Sequence, residues 1–324
     1  MERKIPKRTA WVVAQRIETL IMEQYYAKLL LFGEYIIIRG SQALAMPLQQ
    51  YSGSWQFAKD DEPPPFNLEE FVQYLMRLKN KGELLTDMDL RRFEREVNKG
   101  LYFKSDIPVG YGVGSSGAVC AAAYRRFAIT PFTRDDEAHY IRLKQQLAQL
   151  EGYFHGASSG TDPLICYLGH AVLLLPNGQA HLANPPERKP GDTGLFFLLD
   201  TGISRKTGPL VEKFLMQCEQ SHFRNALQKE LAPATENAIY AYLEGQREAL
   251  SKEMHRISTF QYQYFKDMIP APFRSIWEKG LQSGAFYLKL CGAGGGGFLL
   301  GYCEDEAEAR NHIEVGHFLP LEKI

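Results

Sequence analysis

The chain has 324 residues and a formal net charge of −1 at pH 7, and hydrophobic residues make up 45% of it. A near-neutral charge excludes the basic surface typical of nucleic-acid-binding proteins, and no apolar run approaches the ~20 residues of a bilayer-spanning helix. The length favours about two domains. We therefore expect a small-molecule partner and neither a nucleic-acid nor a membrane partner; we leave the oligomeric state open, a homodimer included.

The cysteines and histidines predict neither a disulfide framework nor a thiolate metal site. Five cysteines are spread along the chain without a CxxC pair, and the eight histidines are equally dispersed. An odd, scattered set of cysteines is typical of proteins in a reducing compartment, so we predict a cytoplasmic location. Any bound metal is expected to have oxygen ligands.

The first residues are basic and lack the apolar segment of a secretory signal. We predict that residues 1–21 form an extension that the fold does not require. Residues 22–185 are expected to form an N-terminal domain and residues 186–324 a C-terminal domain, because the stretch around 183–193 is rich in proline and charge.

The apolar run 25–32 predicts a buried strand that resumes over residues 35–38, with residues 43–48 as its hairpin partner. Lys28 interrupts this run. A lysine in a strand usually lies at an edge with its charge in water, but a desolvated lysine can serve as a fixed cation in an active site. Both readings of Lys28 stay open at this point.

A glycine-rich loop is predicted after the next elements. Residues 51–65 contain three consecutive prolines and predict an exposed loop, Asn67 is expected to cap a helix, and residues 100–107 predict a strand. Residues 108–118, Pro-Val-Gly-Tyr-Gly-Val-Gly-Ser-Ser-Gly-Ala, then lead into a run of small helix formers. Backbone amides of such a loop and helix start can converge on one anion, so we predict polyphosphate binding; a flexible turn before a buried helix is the alternative.

Two carboxylates follow this loop. A helix predicted from Thr133 to Gly152 places Glu151 where its charge opposes the helix dipole; either another charge or simple exposure to water must account for it. The small-residue loop after this helix ends in Asp162, which Pro163 is expected to hold in extended geometry. Strands are predicted next, at residues 164–168 and 171–175.

The C-terminal part predicts a strand at 195–200, mainly helical structure over 220–280 and a strand at 285–290. Residues 292–297 then hold five glycines among six positions before another strand. Glycine loses the most backbone entropy on ordering. So many glycines favour close approach to a ligand, or to the loop 108–118, over a simple turn.

These segments together resemble the GHMP kinase superfamily and, within it, the mevalonate kinases most closely. Three motifs occur in the superfamily's order, at residues 27–35, 108–118 and 289–297, and the loop 155–162 (His-Gly-Ala-Ser-Ser-Gly-Thr-Asp) supports them. The resemblance implies a two-domain α+β fold, with an N-terminal domain like ribosomal protein S5 domain 2 and a ferredoxin-like C-terminal domain. It also implies an enzyme that uses ATP and Mg²⁺ to phosphorylate the primary hydroxyl of mevalonate.

The resemblance implies roles for single residues as well. Asp162 corresponds to the base or orienting group for the acceptor hydroxyl, and Lys28 to the lysine paired with it. The Mg²⁺ ligands correspond to Ser116 and Glu151. ATP binding is implied for Pro108, Gly110, Gly112, Gly114, Ser115, Ser116, Gly117 and Ala118. Substrate binding is implied for Lys28, Glu34, Tyr35, His155, Ser159, Asp162, Gly294 and Gly295.

Some positions depart from the mevalonate kinase pattern. Ala27 and Tyr35 stand where mevalonate kinases usually have Gly and His, and Gly117 makes the loop Ser-Ser-Gly, as in phosphomevalonate kinases, where mevalonate kinases more often have Ser-Ser-Ala. We therefore keep as alternatives a phosphomevalonate kinase, another GHMP-family metabolite kinase, and a non-catalytic nucleotide-binding protein of the same fold.

Overall fold

The structure is a computed structural model that describes residues 23–58, 66–189, 191–204, 208–322 and 324. The predicted extension 1–21 lies outside these residues. The chain divides into two compact units that alternate along the sequence. Unit 1 comprises the chain up to Lys28 with Pro47–Pro108 and Gly114–Gly169, and unit 2 comprises Leu29–Met46, Val109–Val113 and His170–Ile324. The domain boundary between residues 185 and 186 stays a prediction.

The described chain mixes helices and strands throughout, which confirms the α+β class. The strands are β1 (Tyr25–Phe32), β2 (Ala43–Phe57), β3 (Leu101–Ser105), β4 (Val172–Leu174), β5 (Ala180–Leu182), β6 (Leu195–Asp200), β7 (Tyr287–Leu290), β8 (Phe298–Cys303) and β9 (His317–Pro320). The α-helices are α1 (Leu68–Asn80), α2 (Leu90–Val97), α3 (Ser115–Phe127), α4 (Tyr140–His155), α5 (Thr161–Leu168), α6 (Gly208–Gln217), α7 (Ser221–Ala226), α8 (Ala232–Leu243), α9 (Arg247–Tyr264), α10 (Arg274–Ser283) and α11 (Glu306–His312). Short 3-10 helices lie at Ile36–Arg39, Glu137–His139, Lys266–Met268 and Ala271–Phe273, and a π-helical turn at Leu227–Leu231. Within the described ranges, no helix is both long enough and apolar enough to cross a bilayer.

The first sheet has the strand order β1-β2-β4-β5, with β3 also paired to β2. In unit 1, β2 and β3 are antiparallel, with Trp55 opposite Phe103. Both side chains are buried, and their rings meet edge to face at 5.3 Å. The prediction of a loop over 51–65 is therefore wrong as far as Phe57, because burial of these aromatic side chains extends β2 beyond the strand predicted at 43–48.

The second sheet lies in unit 2 and is antiparallel, with the order β7-β8-β6-β9. Strand β8 is buried along its whole length and β6 along all but its last residue, Asp200. Near-continuous apolar runs are typical of such central strands. The strands predicted at 195–200 and 285–290 and the helical region 220–280 are confirmed.

Two predicted strands are wrong. Residues 35–38 turn away from the sheet because Tyr35 has φ 66° and Ile36 N–H donates to Glu34 O at 2.8 Å, which starts a 3-10 helix. Residues 164–168 belong to α5, which begins after Gly160 in the left-handed conformation. A short apolar run fits a buried strand and a buried helix equally well, so the pattern alone does not separate them.

All five cysteines are free and buried. Burial raises the pKa of the Cys120 and Cys166 thiols well above the ordinary value, and it raises the pKa of Cys303 to about 12. The thiolate is the reactive species, so these thiols stay protonated and unreactive at mildly alkaline pH.

We expect Ellman's reagent to modify none of the five cysteines rapidly in the native protein and all five in guanidinium chloride. Rapid modification before unfolding would contradict this burial.

Candidate active site

An ion pair joins two predicted site residues of unit 1. Lys28 Nζ, on β1, lies 2.9 Å from Asp162 Oδ1, on α5. The Lys28 side chain is 8% exposed and the Asp162 side chain 35% exposed. The lysine therefore does not hold its charge in water: it is a desolvated cation held against a carboxylate that solvent can reach.

Asp162 owes its position to the way α5 begins. Gly160 has φ 72°, and a Cβ there would lie 2.1 Å from the Lys144 carbonyl oxygen, so only glycine permits this approach of α5 to α4. Asp162 lies in the first turn of α5, and the prediction that Pro163 holds it in extended geometry is wrong. Pro163 is tolerated in that turn because N–H groups of a first turn have no acceptor inside the helix.

A second glycine brings α3 against the start of α5. A Cβ on Gly117 would lie 2.9 Å from Pro163 N and 3.0 Å from the Asp162 carbonyl carbon. Both are backbone atoms, so a side chain could be accommodated only if one helix moved. Gly117 therefore sets the distance between the Asp162 backbone and the first turn of α3.

The loop 108–118 has the backbone expected of an anion site. Gly110, Gly112 and Gly114 have φ of 81°, 74° and 81°, values that glycine adopts without strain. Gly114 immediately precedes α3 and has no side chain to cap it, and Ser115 and Ser116 open the helix. The first N–H groups of a helix have no intrahelical acceptor, so they are available to an anion at this end of α3.

Ser116 contacts two predicted site residues at once. Its hydroxyl donates to Glu151 Oε1 at 3.0 Å, and its oxygen lies 3.0 Å from His155 Nε2. Because a serine has a single hydroxyl proton, the His155 nitrogen is the donor in this arrangement. Ser158 donates to the other oxygen of Glu151.

Glu151 is buried, with 4% of the residue exposed. The predicted helix end at Gly152 is wrong, because α4 continues to His155, and simple exposure to water does not account for this glutamate. Burial raises the pKa of the Glu151 carboxyl, and the nearby Asp162 charge raises it further. A cation beside Glu151 would relieve both effects.

The residues predicted to hold Mg²⁺ fit that ion by their chemistry. Ser116 and Glu151 offer a hydroxyl and a carboxylate oxygen, the hard donors that Mg²⁺ prefers. In the described part of the chain, no cluster of three or more His, Cys, Asp or Glu side chains could hold a metal by itself. Mg²⁺ in phosphoryl-transfer enzymes commonly takes one or two protein ligands, with phosphate oxygens and water as the others, so a partial set of this kind is sufficient.

Glu34 and Tyr35 form buried contacts in unit 2. The Glu34 carboxylate pairs with the Lys289 ammonium, and both side chains are 1% exposed. The Tyr35 hydroxyl donates to the Ala293 carbonyl oxygen at 2.6 Å. Their predicted contact with a substrate stays a prediction.

The C-terminal glycine loop, residues 291–297, packs closely against other backbone segments of unit 2. Gly295 N–H donates to Met268 O at 2.6 Å, and a Cβ on Gly294 would lie 2.7 Å from the same oxygen. A Cβ on Gly297 would lie 2.7 Å from Tyr111 O. The predicted approach of this loop to the loop 108–118 is thus confirmed at Tyr111.

One predicted site residue lies apart from the others, and two residues that were not predicted take part in the contacts of the site. Ser159 is exposed and bonds to Thr161 rather than to the carboxylates. Sequence reasoning gave no role to Ser158, whose hydroxyl holds Glu151, or to Lys289, which pairs with Glu34. Lys289 had a signal that Lys28 shares, a lysine inside an otherwise apolar strand, whereas nothing distinguishes Ser158 from its small neighbours.

Comparisons with known proteins agree with this arrangement of motifs. The model of the GHMP kinases N terminal domain matches residues 81–170, and that of the GHMP kinases C terminal domain matches residues 238–314. A mevalonate kinase of Thermococcus sibiricus is 26% identical over 91% of this chain and 93% of its own length.

Solved structures share the fold. The L. major mevalonate kinase in complex with R-mevalonate superposes with a TM-score of 0.60 at 19% identity, over 89% of this chain and 88% of that one. The Streptococcus pneumoniae phosphomevalonate kinase in complex with phosphomevalonate and AMPPNP superposes with a TM-score of 0.61 at 15% identity, over 92% of this chain and 99% of that one. The two family models together span about half of the chain and supply both halves of the predicted two-domain fold, so the chain belongs to the GHMP kinases.

Proposed function

We propose that this kinase transfers the γ-phosphate of ATP to the primary hydroxyl of mevalonate. The observation that carries the proposal is the ion pair of Lys28 and Asp162 beside the glycine-rich start of α3. The acceptor is suggested by the relatives, since the T. sibiricus protein is a mevalonate kinase and the L. major structure contains R-mevalonate. A cytoplasmic location stays a prediction.

In this proposal Asp162 receives the acceptor hydroxyl. Its carboxylate is the part of the ion pair that solvent reaches, so an alcohol can approach it while Lys28 remains buried behind it. Asp162 then orients the hydroxyl or accepts its proton as the oxygen attacks the γ-phosphorus. The Lys28 ammonium stabilises the carboxylate and the negative charge that develops on the attacking oxygen.

The loop 108–118 and the first turn of α3 would bind the phosphates of ATP through backbone N–H groups. Ser116 and Glu151 would hold Mg²⁺, which neutralises negative charge on the phosphate oxygens when it is bound. Ser158 and His155 contribute by fixing the Glu151 carboxylate and the Ser116 hydroxyl through the bonds described above. Phosphoryl transfer asks mainly for such positioning and charge stabilisation.

A second candidate acceptor is phosphomevalonate. The observation that favours it is Gly117, which makes the loop Ser-Ser-Gly and lets α5 lie against α3 with no room for a methyl group. The phosphomevalonate kinase of S. pneumoniae also shares the fold. The buried Lys28 beside Asp162 suits either acceptor, because the reacting group would be an alcohol or a phosphate oxygen at the same carboxylate.

A coupled ADP-release assay with mevalonate, phosphomevalonate and a set of sugars tests the acceptor. We expect the wild-type protein to turn over mevalonate. In the Asp162→Asn variant we expect kcat to fall by about 10²–10⁴-fold, because the variant loses the group that orients the hydroxyl. Asp87→Asn, a change of the same kind at an exposed surface position, is the matched control and should behave as wild type.

The possible results separate the alternatives. Turnover with phosphomevalonate alone would replace the acceptor and keep the mechanism. ATP binding without turnover of any alcohol would instead favour a non-catalytic nucleotide-binding protein. Near-normal turnover by the Asp162→Asn variant would refute the role of Asp162 whatever the acceptor is.

Replacement of Glu151 by Gln tests the metal ligand. The amide keeps the size of the side chain but loses its charge, so the Mg²⁺ concentration for half-maximal rate should rise by roughly 10–100-fold, the range found when metal-site partners are removed. Glu253→Gln is the matched control, since Glu253 is a buried glutamate in unit 2 paired with Arg256. An unchanged Mg²⁺ requirement in Glu151→Gln would count against Glu151 as a ligand.

Replacement of Gly117 by Ala tests the helix contact. Its methyl group would meet the backbone of Asp162 and Pro163, so α3 and α5 must move apart and the Asp162 carboxylate must shift relative to the first turn of α3. Because misplacement of about 1 Å can cost ~10²-fold in rate, we expect kcat to fall by about 10²-fold. The control is Gly152→Ala on α4, where the nearest atom is the far end of the Tyr74 side chain at 3.2 Å. Equal kcat in both variants would show that the contact does not position Asp162.

A further inference from the structure

Tyr35 has a backbone conformation that its side chain does not favour. Its φ of 66° and ψ of −43° make it the one non-glycine residue with positive φ in the described ranges. The hydrogen bond from Ile36 N–H to Glu34 O closes a tight turn around it. Such strained residues persist only where the surrounding contacts hold them in place.

Contacts within unit 2 hold Tyr35. Its ring lies between Phe214 and Phe265, with centroids 4.7 Å and 5.2 Å away. The preceding residue, Glu34, is fixed by the buried ion pair with Lys289. Ring and backbone are therefore fixed by separate contacts, and the Tyr35 hydroxyl donates to the Ala293 carbonyl oxygen.

Ala293 belongs to the C-terminal glycine loop, residues 291–297. Ala293 is 8% exposed, so its carbonyl oxygen would lose its buried donor if the Tyr35 hydroxyl were removed. Further along the loop, Gly297 N–H donates to Ile203 O at 2.6 Å, and its carbonyl oxygen accepts from Thr201. The loop is thus held at both ends, by Tyr35 at one and by residues 201–203 at the other.

The same loop bounds the middle of the loop 108–118. Gly297 leaves no room for a side chain beside the Tyr111 backbone, and the Phe298 ring lies 5.0 Å from the Tyr111 ring. A shift of the glycine loop would therefore displace residues 109–113. Contacts run without interruption from the Tyr35 hydroxyl to the loop proposed to bind ATP.

We propose that Tyr35 is a positioning residue for nucleotide binding, acting through the glycine loop on residues 109–113 rather than by contact with the acceptor. This inference rests on the proposed ATP-binding role of the loop 108–118. Its strained backbone and buried hydroxyl serve to fix Ala293, and Ala293 and Gly297 in turn limit the positions open to Tyr111.

The test compares the full-length chain with its Tyr35→Phe variant, which keeps the ring and removes the hydroxyl. Binding of AMPPNP with Mg²⁺ should weaken by about 2–30-fold, the usual range for residues that act through a contact network, whereas KM for the acceptor should stay unchanged. Hydrogen exchange should accelerate in peptides that cover residues 109–113 and 291–297. Tyr302→Phe is the matched control, because Tyr302 is a buried tyrosine on β8 of unit 2 with 3% exposure.

The three readouts, AMPPNP affinity, acceptor KM and hydrogen exchange, make the inference refutable. A lowered melting temperature with unchanged AMPPNP affinity and unchanged exchange at 109–113 would reduce Tyr35 to a structural role, and a raised acceptor KM alone would make it a substrate contact. If Tyr35→Phe does not fold, Phe214→Leu loosens the same ring and carries the same three expectations. If the wild type binds no AMPPNP, the proposed function fails, while the exchange measurement still tests the link from Tyr35 to Tyr111.

Discussion

The close approach of α3 and α5 at Gly117 is the constraint on which the arrangement of unit 1 depends. It brings the Asp162 backbone next to the first turn of the helix that begins with Gly114, Ser115 and Ser116. Gly114 makes a similar approach on the other side, since a Cβ there would lie 2.8 Å from Lys28 Cγ. Two positions without side chains thus allow a cation, a carboxylate and a helix N-terminus to converge, which bulkier residues would keep apart.

The charges of this region explain how the side chains of Lys28, Asp162 and Glu151 can lie so close together. Two carboxylates, Asp162 and Glu151, interact with each other, which raises the pKa of Glu151, while the Lys28 ammonium pairs directly with Asp162. Hydroxyl donors from Ser116 and Ser158 offset part of the burial of Glu151. The divalent cation that we propose to arrive with the nucleotide would offset part of the negative charge that Glu151 and Asp162 carry.

Sequence patterns predicted the family and one ion pair more reliably than local geometry. The glycine motifs in a fixed order indicated the fold and the family, and the resemblance then implied the pairing of Lys28 with Asp162, which the lysine in its apolar run had left open. They did not predict that α4 continues past Glu151 or that Asp162 lies inside a helix. Those outcomes depend on packing between elements far apart in sequence, such as Gly160 against Lys144 or Gly117 against Pro163, and no local pattern contains that information.

The buried pair of Glu34 and Lys289 has a consequence for how this chain can vary. The two residues are 255 positions apart, and neither side chain reaches water. Loss of the Glu34 carboxylate would leave the Lys289 ammonium buried without its counter-charge, which commonly costs about 3–5 kcal/mol, whereas joint replacement by apolar residues of similar volume is often tolerated. Among natural variants of this chain, positions 34 and 289 should therefore change together or not at all. In an alignment of such variants, these two columns would be correlated with each other and not with the columns of neighbouring residues.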